Sequence, residues 1–447
     1  MASAAEQLAA NINLGAFAKA TELKKRLWFT LGALIIYRLG TYIPVPGIDP
    51  AVLNDIFRQN QGGILGIFDM FSGGALGRMT IFALAIMPYI SASIIMQLMT
   101  AVSPHLEALK KEGEVGRKKI NQYTRYGTVV LAAFQAFGIA VGLEGMQSSM
   151  GRAVIDPGLF FRLSCVISLT GGTMFLMWLG EQITARGVGN GVSLIIFSGI
   201  VANLPHALAA TLELGRTGAM SPVSIIMIMV VAVITITIMV FMERAQRRVL
   251  VQYPKRQVGN KMFGGESSHM PLKLNTSGVI PPIFASSLLL LPLTVANFTA
   301  NRGPEWLQEI TAQLSHGRPL YIALYVALIV FFSFFYTAIV FNPVETADNL
   351  KKYGGFIPGI RPGKATADYL DNVLTRLTVV GASYLAIICV LPEVLISNFN
   401  VPFYFGGTSL LIVVSVTMDT VAQIHSHLLA HQYEGLIKKT KLRGRRG

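Results

Sequence analysis

The sequence predicts an all-α polytopic membrane protein with ten transmembrane helices in two inverted five-helix halves. The 447 residues are 52% hydrophobic and only 13% charged, a composition typical of polytopic membrane proteins rather than of soluble domains. Ten apolar segments are long enough to cross the hydrocarbon core of a bilayer, which is about 30 Å thick. Basic residues concentrate in alternate connecting segments, and this asymmetry predicts the orientation of the helices.

The ten predicted spans alternate with polar connections along the chain. They cover residues 27 to 43, 79 to 102, 122 to 142, 159 to 180, 188 to 210, 222 to 242, 278 to 298, 320 to 341, 376 to 396 and 408 to 430. An even number of spans places both termini on one side. Of the 37 Lys and Arg residues, six face the other side: Arg58, Arg78, Arg152, Arg216, Arg302 and Arg318. We therefore expect both termini to be cytoplasmic.

The spans divide evenly about one short connection. Residues 1–211 form the predicted N-terminal half with spans one to five, residues 212–221 an external hinge loop, and residues 222–447 the C-terminal half. Because five is odd, the second half enters the membrane from the opposite side. That arrangement is typical of an inverted repeat with a central site between the halves.

A glycine-rich segment, residues 62–77, precedes the second span. Its glycines are Gly62, Gly63, Gly66, Gly73, Gly74 and Gly77. Each weakens a helix by about 1 kcal/mol relative to alanine, and a broken helix within a membrane must be surrounded by protein or by a water-filled cavity. Two interpretations remain open: a re-entrant loop that only packs, and a movable stopper for a cavity.

Two cytoplasmic loops, residues 243–277 and 342–376, are too long and too basic to be simple connectors. Alternating side chains in 248–252 predict a short hairpin or an extended arm. In the second loop, a cluster of Gly and Pro residues predicts a turn with Arg361 at its tip. The positive charge is explained either by attraction to anionic lipid or by docking to an acidic partner.

Enzyme and metal signatures are not evident. The RGVGNG stretch at 186–191 lacks the preceding strand of a dinucleotide loop, so it predicts a helix junction. His425 and His427 point to different helix faces and have no suitably spaced acidic partner for a metal. Cys165 and Cys389 both lie in apolar runs, which predicts buried, inert thiols. We expect no catalytic site, no metal and no cofactor.

The span centres contain very few ionisable residues, and Asp419 is the most central acid. A proton- or ion-coupled carrier needs several such residues at mid-membrane depth, so this observation disfavours a secondary transporter, the main alternative fold-compatible function. Two intramembrane glutamines, Gln97 and Gln135, must find hydrogen-bond partners, and a helix seam would supply them.

Branched apolar residues recur at helical spacing in two spans. Ile86 and Ile90 share one helix face, and so do Val192 and Ile196. Core packing explains such pairs in most helices, so the spacing alone does not assign a function to them.

Long segments of the chain resemble one known family in order and over nearly the whole length. They are FDMFSGGALGRMTIFALAIMPYISASIIMQL, KKEGEVGRKKINQYTRYGT, TMFLMWLGEQITARGVGNGVSLIIF, SGVIPPIFASSLLLLP, FNPVETADNLKKYGGFIPGIRPGKAT and VPFYFGGTSLLIVVSVTMD. These resemble the SecY/Sec61-alpha family of protein-conducting channels. The resemblance implies an hourglass pore between the two halves that opens across the membrane and sideways into lipid, with no catalysis by the chain itself.

The resemblance implies roles for particular residues. The pore ring would consist of Ile86, Ile90, Val192, Ile196, Ile283 and Ile412. Residues 62–77 would form the external plug, with Gly66, Phe68, Met70, Phe71, Gly73 and Gly74 in it. Because the family often has isoleucine where this chain has Val192, the ring would be slightly wider there. A ring of branched apolar side chains can gate by dewetting.

The family's lateral gate separates the second and third spans from the seventh and eighth, which would place Gln97 and Gln135 near that seam. Contacts with the SecA motor or the ribosome would involve Lys255, Arg256, Lys261 and Arg361. At Asn260 this chain departs from the arginine that the family often has.

The resemblance also implies a set of partners and a location. The partners would be the SecE and SecG subunits, SecA, the translating ribosome, signal sequences, unfolded preproteins and membrane lipids, with SecD/SecF and YidC as further partners. The location would be the bacterial plasma membrane. A non-conducting assembly scaffold is a third interpretation, and it would survive if deletion of residues 62–77 changed no permeability.

Overall fold

A computed structural model describes residues 20–59, 69, 72–145, 147–148, 151–218, 221–254, 256–258, 261–263, 267–299, 313, 318–399 and 407–443. In this part of the chain the helices are α1 (Thr21–Gly40), α2 (Pro50–Gln59), α3 (Met87–Val102), α4 (Pro104–Lys111), α5 (Glu114–Gly145), α6 (Leu159–Arg186), α7 (Gly191–Arg216), α8 (Pro222–Arg244), α9 (Ile280–Thr299), α10 (Pro319–Val340), α11 (Pro343–Lys352), α12 (Lys364–Phe399) and α13 (Gly407–Arg443). The strands are β1 (Gln147–Ser148), β2 (Gly151–Arg152), β3 (Gln246–Gln252), β4 (Arg256–Val258), β5 (Lys261–Phe263) and β6 (Ser267–Lys273).

A helix covers most of each predicted span. Among the described residues, seven helices are long and apolar enough to cross a membrane, namely α5, α6, α7, α8, α10, α12 and α13. Helix α3 and the Ile280–Leu289 part of α9 are shorter apolar helices. Helix α1 begins with the basic run 24–26 and has Arg38 near its end, so only its middle is apolar. The chain is a mostly helical, multi-pass membrane protein.

The second span differs from its predicted extent, because α3 begins at Met87 rather than at Met79. Residues 72–86, which we call the root segment, form consecutive turns. The backbone N–H of Ile81 donates to the Ile43 carbonyl at 3.0 Å, and the N–H of Val45 donates to the Met79 carbonyl at 3.0 Å. These partners lie far away in the sequence, so an apolar run alone could not reveal that the root segment is not helical.

The structure divides into two compact units, residues Met1–Leu204 with Val416–Gly447, and residues Pro205–Ser415. In the first unit, α5 and α6 pack antiparallel, and two ion pairs join them. Arg125 lies 2.7 Å from Glu181, and Arg162 lies 2.6 Å from Glu144. These pairs stand toward opposite ends of the two helices and fix their register.

In the second unit, the hairpin predicted in the first basic loop is confirmed. Strands β3 and β6 pair antiparallel along their length. Gln252 and Phe356 exchange two backbone hydrogen bonds of 2.9 Å, so the second basic loop joins the hairpin. One buried core contains Val249, Leu272, Ile357, Leu370, Val373, Leu374 and Leu377. The two loops therefore fold together into one body on the first turns of α12, which we call the loop platform.

Candidate functional site

The root segment contains residues 72–77 of the glycine-rich region and the residues that connect this region to α3. The predicted plug residues Gly73 and Gly74 belong to it, whereas Gly66, Phe68, Met70 and Phe71 lie outside the described residues. Most of its apolar side chains are buried, namely those of Ala75, Leu76, Met79, Phe82, Ala83, Leu84, Ala85 and Ile86. The segment is thus part of the protein core.

Two arginines hold the start of the root segment through its carbonyl groups. The Gly73 carbonyl accepts from Arg38 Nη1 at 3.0 Å and from Arg78 Nη2 at 3.2 Å. Arg78 Nε also donates to the Gly74 carbonyl at 2.9 Å. The Arg78 guanidinium lies 4.2 Å from the centre of the Tyr42 ring, a cation–π distance. Hydrogen bonds with a charged donor are stronger than neutral ones. Arg78 belongs to the root segment, so Arg38 and the Tyr42 ring attach the segment to the rest of the chain.

The attachment requires glycine at position 73. Its φ of 68° lies in the left-handed region that side chains other than glycine rarely adopt. A Cβ atom there would lie 2.8 Å from Arg38 Nη1 and 2.9 Å from the Gly199 Cα. A side chain at this position would displace the first arginine and the neighbouring backbone.

Asp69 accepts from two backbone N–H groups of the root segment. Its Oδ1 accepts from the Gly77 N–H at 2.6 Å, and its backbone carbonyl accepts from the Gly74 N–H at 2.8 Å. Burial raises the pKa of the Asp69 carboxyl, and the Gly77 hydrogen bond and the Arg78 charge oppose that rise. Tyr37 Oη donates to the Ser72 carbonyl at 3.2 Å, which adds a second contact from α1.

The root segment ends at the first predicted pore-ring residue. Ile86 and Ile90 are 1% and 5% exposed. Met79 and Ala85 have φ angles of 44° and 49°, and such values in non-glycine residues cost about 1 to 3 kcal/mol each. Strained backbone persists only where its surroundings fix it, so the position of Ile86 is set by tertiary contacts.

Helix α6 packs against the segments that carry both predicted ring pairs of the first unit. A Cβ atom on Gly172 would collide with the carbonyl oxygen of Ile81, which belongs to the root segment and precedes Ile86 in the chain. A Cβ atom on Gly180 would lie 3.4 Å from Val192 Cγ2. Ile196, one turn further along α7, is 5% exposed. Glycines in α6 therefore allow close approach at both places.

In the second unit, α10 contacts the helices that carry the other two predicted ring residues. Ile283 is partly buried on α9, and Ile412 is fully buried on α13. Phe284 packs edge-to-face on Phe332 of α10 at 5.7 Å. Tyr325 Oη of α10 lies 2.7 Å from Thr408 Oγ1 of α13. Ile283 and Ile412 thus lie on helices that share one packing partner.

The two intramembrane glutamines lie on α3 and α5. Gln97 Nε2 is 3.5 Å from Ser93 Oγ, one turn back on the same helix, and Gln135 is 7% exposed. The side-chain oxygens of both are buried without a partner among the described residues. The α5–α6 register places Gln135 level with residues 170–173, whose two threonine hydroxyls are likewise unpaired among the described residues. A partner across a helix seam stays a prediction.

The loop platform exposes Arg361, as its turn residues predicted. Gly359 and Gly363 have φ angles of 82° and 110°, and Thr366 Oγ1 donates to the Arg361 carbonyl at 2.9 Å. Arg256 and Lys261 lie in the paired strands β4 and β5 toward the end of the hairpin. Lys255 and Asn260 lie outside the described residues.

Sequence reasoning missed the role of two arginines. It placed Arg38 within a span and Arg78 on the external side, and it gave neither residue a contact. The available signal was Arg38 itself, because a cation inside a span is costly and needs a partner. Its partner is a backbone carbonyl, which no pattern of residue types could have identified.

The chain is similar in sequence to one family of known proteins. The SecY family model matches residues 80–421. The chain is 60% identical over 422 residues to the protein translocase subunit SecY of Rickettsia conorii, covering 94% of this chain and 97% of that protein.

Two solved structures are similar in fold. One is a SecY protein whose plug domain stabilises the closed state of a translocation channel and maintains a membrane seal, with a TM-score of 0.66, 19% identity and coverage of 91% of this chain and 92% of that one. The other is Sec61 in a canine ribosome–channel complex, with a TM-score of 0.63, 17% identity and the same coverage of both chains.

Proposed function

The chain belongs to the SecY family and is a subunit of a protein translocation channel, and we propose that its root segment holds the plug against a ring of six apolar side chains. The observation that carries this proposal is the double arginine contact on Gly73, in a buried segment that ends at Ile86. Family membership does not favour the secondary-transporter alternative.

The ring is composed of Ile86, Ile90, Val192, Ile196, Ile283 and Ile412, contributed by two inverted halves of five spans each. Branched apolar side chains exclude water when the channel is closed and yield around a passing polypeptide. Residues 62–77 act as the external plug, and residues 212–221 act as the hinge between the halves. The valine at position 192 makes the ring slightly wider on that side.

Hydrophobic segments of a substrate leave sideways through a gate beside Gln97 and Gln135. A leucine at a helix centre favours the bilayer by about 0.3 to 0.6 kcal/mol, whereas a lysine or aspartate disfavours it by about 2.5 to 3.5 kcal/mol. Summed over the leucines of a hydrophobic substrate segment, these partition free energies exceed the free energy of one hydrogen bond at the gate, which is about 0.6 to 2 kcal/mol. Partition thus separates secreted segments from membrane segments.

The loop platform docks the driving partner. Exposed Arg361 and the basic hairpin with Lys255, Arg256 and Lys261 suit the acidic surface of SecA or the phosphates of ribosomal RNA. The canine Sec61 structure, which is in a ribosome complex, supports the second partner.

We place the protein in the bacterial plasma membrane with both termini cytoplasmic, on the basis of its Lys and Arg distribution and its bacterial relatives. SecE and SecG complete the channel, and SecD/SecF and YidC work with it. Its substrates are signal sequences and unfolded preproteins.

Site-specific crosslinking tests the ring directly. In a chain whose Cys165 and Cys389 are replaced, Ile86→Cys or Ile283→Cys is reconstituted with its partner subunits and a stalled preprotein. We expect crosslinks to the preprotein that require both SecA and the arrested chain. Val233→Cys on α8, a residue 62% exposed, is the matched control and should not crosslink. Equal crosslinking of the control, or none at the ring with the chain arrested, would refute the assignment.

A further inference from the structure

The turn at residues 187–190 joins α6 to α7, and side chains accept from two of its backbone N–H groups. The N–H of Val188 donates to Thr30 Oγ1 at 3.0 Å, and that of Gly189 donates to Gln423 Oε1 at 2.8 Å. The N–H of Gly191 donates to Thr184 Oγ1 at 2.9 Å. Two of these acceptors are remote in sequence, since Thr30 lies on α1 and Gln423 on α13.

Close backbone contacts leave the turn little room to move. A Cβ atom on Gly191 would collide with the Gly180 carbonyl oxygen of α6. Gly189 has a φ of 89°, and a Cβ atom there would lie 2.8 Å from Leu194 Cδ1. Val188 is 1% exposed and packs with Ala20 and Leu23 of the α1 region. The helix junction predicted from the RGVGNG stretch is thus packed tightly against the α1 region, α6 and the first turn of α7.

Helix α7 carries two of the six proposed ring residues directly after this point. Val192 is the second residue of α7, and its N–H donates to Asn190 Oδ1 at 3.1 Å. Asn190 caps the helix but belongs to the turn, so it cannot fix the turn relative to other helices. Thr30 and Gln423 can, because they belong to other helices.

We propose that Thr30 and Gln423 are positioning residues for the pore ring: by accepting the Val188 and Gly189 N–H groups, they fix where α7 starts. The proposal rests on the proposed ring function of Val192 and Ile196. Because an α-helix has 3.6 residues per turn, a slide of the chain by one position along α7 rotates both side chains by about 100°. Such a rotation would move both out of the ring and leave the closed channel permeable.

The test removes the acceptors while it preserves shape. Thr30→Val and Gln423→Leu remove them, whereas Thr30→Ser and Gln423→Glu keep an oxygen in the same place. The readout is the ion conductance of the reconstituted, substrate-free channel complex in planar bilayers. Losing one neutral hydrogen bond should raise the leak about fivefold, and the double variant should raise it about 25-fold. The Ser and Glu variants should stay near the parent, which a role in packing alone would not predict.

Two further variants separate this proposal from the ring assignment. Val192→Gly and Ile196→Gly change the ring itself and should raise the leak whatever holds the turn. If they do so while Thr30→Val and Gln423→Leu do not, the positioning role is wrong and the ring stands. If none of the four changes the leak, the ring assignment has failed. Equal leaks from the acceptor-free and acceptor-keeping variants would also overturn the proposal. The unfolding midpoint of each variant identifies any that do not fold.

Discussion

The root segment and the turn at 187–190 each lead into a helix beside two proposed ring residues, yet their backbones are held in opposite ways. The root segment presents carbonyl oxygens, and the guanidinium groups of Arg38 and Arg78 donate to them. The turn presents N–H groups, and the neutral oxygens of Thr30 and Gln423 accept from them. In each place, the side chains that surround the backbone supply the hydrogen-bonding group that the backbone lacks: donors for the carbonyl oxygens and acceptors for the N–H groups.

The difference in bond type matches the difference in strain. Hydrogen bonds to charged groups contribute about 1.5 to 3 kcal/mol, and neutral ones about 0.5 to 1.5 kcal/mol. The root segment contains non-glycine residues at positive φ, Met79 and Ala85, whereas the turn uses Gly189 for its positive φ. The root segment, with the strained backbone, is thus attached to α1 by the charged donor Arg38, and the turn, with the relaxed backbone, is attached by neutral acceptors.

The largest effect should come from the glycine contact that supports the root segment. Gly172→Ala places a Cβ atom against the Ile81 carbonyl oxygen. Because a backbone carbonyl cannot move aside as a side chain can, we expect a loss of unfolding free energy at the upper end of the overpacking range, about 3 kcal/mol. Its neighbour Gly171 has no described atom within 4 Å of a built Cβ. Gly171→Ala should therefore gain about 0.5 to 1 kcal/mol. Denaturant unfolding in detergent micelles measures both, and equal values would mean that the close approach is not limiting.

An intermediate effect should follow from the arginine contacts. Arg78→Met removes the Arg78 donors to Gly73 and Gly74 and leaves the Arg38 donor to Gly73 in place. We expect a local loss of about 1.5 to 3 kcal/mol, seen as an increased ion leak of the substrate-free channel. Arg78→Lys keeps the charge but cannot reproduce the planar two-nitrogen contact, so its leak should lie between the parent and Arg78→Met. A leak from Arg78→Lys equal to that of Arg78→Met would show that geometry, rather than charge, provides the attachment.

The smallest effect should be a pH dependence that belongs to the root segment and not to the turn. Burial is the main cause that raises the pKa of the Asp69 carboxyl. The carboxyl therefore binds its proton more tightly when the root segment is in place than when the segment is released. Stability should rise as pH falls through the raised pKa and be lost above it. We expect a lower leak at about pH 4.5 than at about pH 7.5. Asp69→Asn keeps an acceptor for the Gly77 N–H and should remove this dependence.

An unchanged pH profile in Asp69→Asn would assign the titration to another group. The turn at 187–190 is held by neutral acceptors, so Thr30→Val should leave the pH profile of the leak unchanged in shape while raising its level. A changed shape would mean that the turn is coupled to an ionisable group.

The composition and periodicity of the chain were sufficient for much of the fold. Ten apolar runs predicted ten helices, and each run overlaps a helix. The alternation around Arg248 predicted the hairpin, and the Gly and Pro residues around Arg361 predicted its exposed turn. These features depend on local backbone preference and on the pattern of apolar and polar residues. Both can be read from residues that are neighbours in the sequence.

Other features were decided only by tertiary contacts. The apolar run from Met79 looked helical, yet residues 79–81 pair instead with the chain after α1. The partners of Arg38 are carbonyl groups, and those of Thr30 and Gln423 are N–H groups, so no side-chain pattern encodes them. Apolar character specifies that a residue is buried but not what it is buried against. Backbone groups are the same at every position, and only the folded chain determines which of them meet.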